Sequence, residues 1–502
     1  MFRIRRMGID TQSEHVLFIH ADAVHGGLLG FKPLDRVRVG GNDPESGKRR
    51  EITGILNFCE DDLVGREEIG LSNVAFADLG LPAGATVEAE LAVSPASVDK
   101  VRGKLRGQRL SRRDFDEIIR DVTARQYSKP ELSMFVLACA LQNLDDDEIA
   151  DFTRAMIDSG SSLQFDAPIV ADKHCIGGVP GNRTTMIVVP ILVSLGMTVP
   201  KTSSKAITSA AGTADTMGAL ACVDLRSEDL HRVVKQAGGC IAWGGALDLA
   251  PADDVLITVE RPMQLDTEAQ MVASILAKKK TAGATHALID IPLGPATKVR
   301  TQQTAEELGR LFRHVADIIG LDVDVVTTDA RGPIGCGIGP RLEALDVLAV
   351  LRRDAEAPID LREKSLFLAG RILERTGVAP DSCGYRTAQE ALESGRAEQA
   401  FQRIVEAQGP RALPEEARFK AWVEAPEAGR ISQIDCLGVG RIAKLAGSPA
   451  HAAAGLRCLS RVGDVVEAGD PLFEIHAQSD PQLGIAEAYA RRELHRLVRF
   501  GY

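Results

Sequence analysis

Three stretches of this 502-residue chain combine residue types at spacings that could do chemistry. The first is Asp172-Lys-His-Cys-Ile-Gly-Gly178-Val-Pro-Gly-Asn-Arg-Thr-Thr185, followed by the apolar run Met186–Leu195. Glycines let backbone N–H groups converge, and a helix starting at the apolar run would aim its positive end at the same place, which makes an anion site. Lys173 adds a full charge, and Thr184 and Thr185 add hydroxyl donors at the helix start. A Gly-rich connection with a solvated Lys-His pair fits the same spacing. Gly-Lys-Ser/Thr is missing, so this is not a Walker A loop.

The second stretch is Pro200-Lys-Thr-Ser-Ser-Lys-Ala-Ile-Thr-Ser-Ala-Ala-Gly-Thr213-Ala-Asp-Thr-Met, dense in small hydroxyl residues directly after a strand-like run. α/β folds bind ligands at the carboxyl ends of their strands. Ser203, Ser204, Ser209 and Thr213 are therefore candidate donors to a phosphate or a sugar; an ordinary polar loop capped at Thr213 or Asp215 is the plainer alternative. The third stretch is Asp266 with Ser274-Ile-Leu-Ala-Lys278. Ser274 and Lys278 fall on one helix face, where they could read a carbonyl-rich ring edge. A solvated lysine in the basic run Lys278–Lys280 fits equally.

The elements that must hold these stretches follow from periodicity. Residues 1–94 alternate short apolar runs (His15–Ile19, Arg36–Val39, Thr86–Leu91) with turn residues and read as a β-rich domain. Residues 95–166 read as helices. Phe115, Ile118, Ile119 and Val122 mark one buried face, Ser128 to Glu131 is a capping box, and Leu132–Leu141 is apolar on most sides, predicting a central helix. A further helix starts at the acidic run Asp145–Glu148, buries Ile149, Phe152 and Met156, and ends at Gly160. Residues 167–415 alternate strand-like runs (Thr198–Pro200, Cys240–Trp243, Ala287–Ile291, Val323–Thr327) with helical stretches such as Glu228–Ala237 and Thr304–Ile319, an α/β pattern. Residues 252–283 interrupt it and read as a return to the helical domain. Residues 416–502 form an α+β domain, with a β pattern around Val462–Ile475 and a closing helix at Ile485–Val498.

Composition narrows the function classes. A net charge of −11 excludes a general nucleic-acid binder, yet leaves room for a local cluster of donors around an anionic substrate. Nine scattered cysteines with no C-x-x-C pair predict neither a disulfide framework nor a structural zinc site, and point to a reducing, cytoplasmic setting. The start MFRIRRMGID has no apolar core of a signal peptide, and Met186–Pro200 is too short to span a bilayer. No membrane association is expected.

Taken together, Asp-Lys-His-x-x-Gly-Gly-Val, the hydroxyl-rich loop ending Gly-Thr-Ala-Asp-Thr, and Ser-Ile-Leu-Ala-Lys resemble the thymidine/pyrimidine nucleoside phosphorylase family. The full Lys201–Thr216 loop is similar to the longer branch of that family, which includes AMP phosphorylases, and the resemblance covers nearly the whole chain. It implies a two-lobed core, an all-α domain and an α/β domain, flanked by the extra N-terminal β-rich and C-terminal α+β domains. It also implies roles: Lys173, Ser203 and Thr213 for phosphate; Gly178, Ser204, Lys205, Ala206, Ile207, Thr208, Ser209, Thr213, Ser274 and Lys298 for nucleoside or nucleotide; and Asp266 as proton donor; the residue types themselves add Gly178 and Thr185 to the phosphate site and Lys278 to the base site. Cys175 departs from the family's usual serine. Arg261 only approximates the arginine that the shorter enzymes place against the base.

The implied reaction is phosphorolysis of an N-glycosidic bond. Thymidine or a related pyrimidine nucleoside plus phosphate would give the free base and 2-deoxy-α-D-ribose 1-phosphate. The alternative is a nucleoside 5′-monophosphate such as AMP, giving ribose 1,5-bisphosphate, with Lys205 or Lys298 as extra donors. His174 competes with Asp266 as the acid, because an ordinary imidazole titrates near neutrality. No metal or cofactor is expected beyond phosphate as co-substrate; the partners are small molecules and, as in relatives, a second copy of the chain or a larger homo-oligomer. A magnesium-dependent phosphoribosyltransferase and a non-catalytic nucleotide sensor are the other classes. The C-terminal hairpin is similar in pattern to biotinyl carriers but lacks a Met-Lys-Met tip, so it reads as structural.

Overall fold

The computed structural model describes residues 1–11, 14–25, 30–206, 209–265 and 267–501. They divide into two compact units, Met1–Gly160 with Ala250–Ser274, and Ser161–Leu249 with Ile275–Tyr502.

In the first unit, strands β1 (Phe2–Arg6), β2 (Val16–His20), β3 (Arg36–Asn42), β4 (Arg49–Cys59), β5 (Glu68–Leu71) and β6 (Thr86–Leu91) close into a barrel. Its order is β1-β5-β2-β4-β3-β6, sealed by antiparallel pairing of β1 with β6. Period-two alternation fills the interior: Phe2 and Ile4 are buried while Arg3 and Arg5 face water. Closure leaves no sheet edge to template aggregation. Two short helices, α1 (Ala21–His25) and α2 (Asn73–Leu79), adjoin it.

Helices α3 (Ser97–Leu105), α4 (Arg112–Thr123), α5 (Lys129–Leu141) and α6 (Asp146–Ser159) follow. Ser111/Asp114, Ser128/Glu131 and Asp145/Glu148 form capping boxes at the starts of α4, α5 and α6, each worth about 1 kcal/mol. Phe115 of α4 stacks on Phe152 of α6, and Phe135 of α5 meets that ring edge-on. Glu148 does more than cap: its buried carboxylate accepts from Lys104 Nζ at 2.8 Å through both oxygens. The expectation that α5 is buried nearly all round needs correction. Leu132, Phe135 and Val136 are buried, but Leu137 and Leu141 are exposed, so α5 packs by one face. Pro251–Met263 packs against α4, α5 and α6.

The second unit is α/β. Its elements begin with β7 (Ala171–Cys175), α7 (Thr185–Ser194), β8 (Val199–Ser203), α8 (Thr213–Gly218), α9 (Ser227–Ala237) and β9 (Gly239–Trp243). After Pro251–Met263, here α10, come α11 (Glu268–Thr281), β10 (His286–Leu293), α12 (Gln302–Ile319), β11 (Asp322–Asp329), α13 (Pro340–Arg352) and α14 (Ile359–Arg375). Strands β11-β10-β7 form one parallel sheet and β8-β9 another, joined by a parallel bridge between Val170 and Thr198. β10 is buried from Ala287 to Pro292, the near-continuous apolar pattern of a strand covered on both faces. α7 is buried from Thr185 through Val193, which makes it a core helix. The strand Gly337–Ile338 joins a four-stranded antiparallel sheet with the C-terminal strands Phe419–Glu424, Gly455–Cys458 and Pro471–Ala477. Helix Asp480–Leu497 covers that sheet. Among the described residues, no helix is long and apolar enough to cross a membrane.

Candidate active site

β7 places charged side chains alternately on its two faces, because successive residues of a strand point in opposite directions. Lys173 is buried on one face, where its Nζ donates to Thr184 Oγ1 at 2.9 Å and lies 3.7 Å from Asp290 Oδ2. Asp290, alone among apolar neighbours on β10, is held by Lys364 of α14 (3.1 Å) and by the Thr328 hydroxyl of β11 (2.6 Å). On the other face, Asp172 pairs with Lys201 of β8 (3.0 Å) and Lys279 of α11 (2.6 Å).

On one face of β7 Lys173 and Lys364 thus share the buried Asp290 carboxylate, and on the other Lys201 and Lys279 share the buried Asp172 carboxylate, so each face holds more lysine side chains than carboxylates. Burial works to raise the Asp172 and Asp290 carboxyls, but the adjacent lysines outweigh it and hold both below the ordinary range. Burial lowers Lys173 and Lys201. An unpaired ammonium is costly to keep charged away from water. A bound anion removes that cost.

The loop leaving β7 suits such an anion. Gly177, Gly178 and Gly181 have φ of 97°, 93° and 73°, in the left-handed region that glycine adopts without strain. At Gly181 there is also no room for a side chain: a Cβ would lie 2.0 Å from the Ile334 carbonyl oxygen. Asn182 braces the loop, its Nδ2 donating to Cys175 Sγ and its Oδ1 accepting from Thr184 Oγ1. Burial pushes the Cys175 thiol up, so it stays a neutral, weak donor.

The hydroxyl-rich loop is tied to the same place. Arg183 donates to Glu343 Oε2 (2.6 Å), Thr213 Oγ1 (3.0 Å) and Ala211 O (2.9 Å). Because Thr213 accepts from the arginine, its own proton points elsewhere. Asp215 accepts from the Ala206 and Gly212 amides, closing the loop around the start of α8. Ser203 ends β8, Ser204 is exposed beyond it, and Ser209 Oγ turns inward to Ala211 O.

Two readings of the sequence change on this geometry. The hydroxyl that meets Lys173 belongs to Thr184, not Thr185; consecutive helical residues point about 100° apart, so only one can face the lysine. His174 was a candidate acid because an ordinary imidazole is half charged near neutrality. Burial, then Lys279, Lys201, Lys173 and Lys278, lower its pKa well below that value, so it is a neutral ring at pH 7. Ser274 and Lys278 lie one turn apart on α11, both half-buried. Lys298 is exposed in the segment after β10. Lys205 pairs with Asp224 at 3.1 Å and lies 3.8 Å over the Trp243 ring. Asp266, Ile207 and Thr208 lie outside the described residues.

Sequence reasoning had Arg183, Lys201 and Lys279 inside its motifs but assigned them nothing, and it missed Asp290, Glu343 and Lys364. A signal existed for Asp290, a lone acid in an otherwise apolar strand run, since such a group needs a buried partner. Nothing local points to Lys364 or Glu343.

Comparison with known proteins agrees with this architecture. Models of the glycosyl transferase family match residues 98–160 (helical bundle domain) and 167–398 (a/b domain), and the pyrimidine nucleoside phosphorylase C-terminal domain matches residues 430–495. A Methylococcus capsulatus protein named "Putative thymidine phosphorylase" is 46% identical over 492 residues, covering 97% of this chain and 94% of its own. A Polaromonas protein of the same name is 47% identical over 488 residues, with the same coverage. This chain belongs to the thymidine/pyrimidine nucleoside phosphorylase family. It is accordingly a pentosyltransferase, with the helical and α/β core of that family plus an N-terminal barrel and a C-terminal α+β region. Anthranilate phosphoribosyltransferase from Thermus thermophilus shares the fold at 19% identity (TM-score 0.53, 62% of this chain, 99% of that one). The enzyme from Saccharomyces cerevisiae does so at 16% identity (TM-score 0.50, 62% and 98%).

Proposed function

We propose that the protein splits thymidine, or a related pyrimidine nucleoside, with inorganic phosphate to give the free base and 2-deoxy-α-D-ribose 1-phosphate. The observation that carries this reading is the buried Lys173, which shares the single Asp290 carboxylate with Lys364 and stands beside a glycine loop whose backbone can meet a phosphate. The names of the near-full-length relatives support it.

Phosphate is held by Lys173, the Gly178 amide, the Thr213 hydroxyl and the Thr184 hydroxyl, whose rotor turns from Asn182 to the ligand. The C1′–N bond lengthens through an oxocarbenium-like state, as in glycoside cleavage. A phosphate oxygen adds to C1′ on the face opposite the base. The base departs with the bonding pair and takes a proton from Asp266. His174, held neutral, donates a hydrogen bond instead of acting as an imidazolium acid. No metal or organic cofactor enters this scheme; full activity in excess EDTA is expected, and magnesium dependence would favour a phosphoribosyltransferase.

The nucleotide reading asks Lys205 to hold a 5′-phosphate, for which it would have to leave Asp224 and Trp243. Incubation with phosphate and, separately, thymidine, uridine, AMP, CMP and UMP, followed by chromatography of free base, decides between them. Release from thymidine with the monophosphates inert is expected. Release from monophosphates alone would overturn the nucleoside assignment, and no release from any would sink the proposed reaction.

A further inference from the structure

The loop that carries Thr213 is held from the far end of the chain. Ser448, buried and 238 positions further on, donates from its Oγ to the Ala210 carbonyl at 2.8 Å. Ala210 is itself buried, in the same hydrophobic cluster as Val439, Ile442 and Ala446 of the C-terminal region. The hydroxyl-rich loop is therefore anchored in a region that sequence patterning reads as structural only.

Local sequence explains how Ser448 comes to stand there. The helix Cys436–Leu445 is capped at its start by Asp435, whose carboxylate accepts from the Leu437 and Gly438 amides. It runs out into Ala446-Gly-Ser-Pro449. The Gly447 amide donates to Lys444 O at 3.0 Å and the Ser448 amide to Ala443 O at 3.1 Å, the paired closing bonds of a Schellman turn. Gly447 has φ of 120°, which glycine adopts without strain, and Pro449 cannot continue the helix. The turn thus fixes the Ser448 backbone, and its hydroxyl donates from a set position.

That bond reaches the ligand-facing residues through the loop's own backbone. Arg183 holds the next carbonyl, Ala211 O, at 2.9 Å and Thr213 Oγ1 at 3.0 Å. Gly212 lies so close to the other limb of the loop that a Cβ there would stand 2.5 Å from the Ser204 carbonyl oxygen and 2.8 Å from Ala206 N. Asp215 accepts from an amide of each limb, Ala206 and Gly212. The limbs are tied to each other, so a shift of Ala210 moves Thr213 with it. An O–H···O bond has a distance window only about 0.5 Å wide, so a small shift weakens a hydroxyl's hold on a ligand oxygen.

We propose that Ser448 is a positioning residue for phosphate binding: by holding the Ala210 carbonyl, the C-terminal region sets Thr213 against the phosphate. The inference rests on the reading of Thr213 as a phosphate donor. Calorimetric titration of the intact protein with inorganic phosphate, beside initial rates of base release, tests it. Ser448→Ala is expected to raise both the Kd and the KM for phosphate at least fivefold while kcat stays within twofold. Ser448→Thr keeps the hydroxyl and should stay within twofold of the unaltered protein. Ser460 supplies the control, because its buried hydroxyl also donates to a carbonyl of the C-terminal region, Pro471 O at 3.1 Å. Ser460→Ala removes a bond of the same kind and should leave phosphate affinity within twofold. Phosphate bound as tightly by Ser448→Ala as by the unaltered protein would overturn the proposal, as would equal weakening in Ser460→Ala or Ser448→Thr. No phosphate binding by the unaltered protein would instead overturn the phosphate-site reading, and this inference with it.

Discussion

Replacing Thr184 with valine separates the site proposed here from one read off the sequence. Valine keeps the branched shape and deletes only the hydroxyl, which in this structure lies 2.9 Å from Lys173 Nζ at the start of α7. A hydrogen bond to a charged partner contributes about 1.5–3 kcal/mol net. At about 1.4 kcal/mol per tenfold, its loss raises the KM for phosphate roughly 10- to 150-fold. Thr185→Val should change it less than threefold, because that side chain points about 100° away along the helix. The assay is initial-rate base release at saturating thymidine with phosphate varied, plus the converse titration, in which KM for thymidine should stay within about twofold. Two results would refute the reasoning. If Thr185→Val matched or exceeded Thr184→Val, the helix phase in the site would be wrong. If Thr184→Val instead tightened phosphate, the hydroxyl would serve only to satisfy Lys173 in the empty site.

Three further expectations follow from the charge clusters. Lys173, Lys201 and His174 are held below their ordinary pKa values in the empty site, and a bound dianion pulls them back up. Phosphate binding at pH 8 should therefore take up protons, seen as a heat that varies with buffer ionisation enthalpy, and should weaken as pH rises through the lowered lysine values; proton release would contradict the assignment. Asp290→Asn leaves Lys173 and Lys364 buried without their shared carboxylate, which should cost about 3–5 kcal/mol of folding stability and be partly restored by phosphate; an unchanged thermal midpoint would count against the cluster. Asp266→Asn should lower kcat at least 100-fold, the scale of general-acid catalysis, while His174→Gln, retaining a neutral donor, should lower it under tenfold; the reverse order would make His174 the acid.

Much of this protein is written locally. The capping box at Ser128 and the acidic helix start at Asp145 act across three residues, and the buried face of α4 repeats every three or four, so these were legible from spacing, whereas the box at Ser111 emerged only in the structure. The Asp172–Thr185 glycine loop and the Gly212–Thr213 turn were legible for the same reason, since backbone conformation and donor type reside in consecutive residues. The surface of α5 was not, because whether Leu137 and Leu141 are covered depends on neighbours far away in sequence.

The charge balance of the site was decided by tertiary structure alone. Asp290 meets Lys364 across 74 positions and Arg183 meets Glu343 across 160, pairings that exist only once parallel strands and their covering helices have assembled. The same assembly buries His174 among four lysines and makes it neutral, although its residue type alone suggested a group that titrates near pH 7. It also selects Thr184 over Thr185 through helix phase. Sequence supplies the chemical groups and their local conformations. Their protonation and their partners depend on distance and dielectric, which only the packed fold sets.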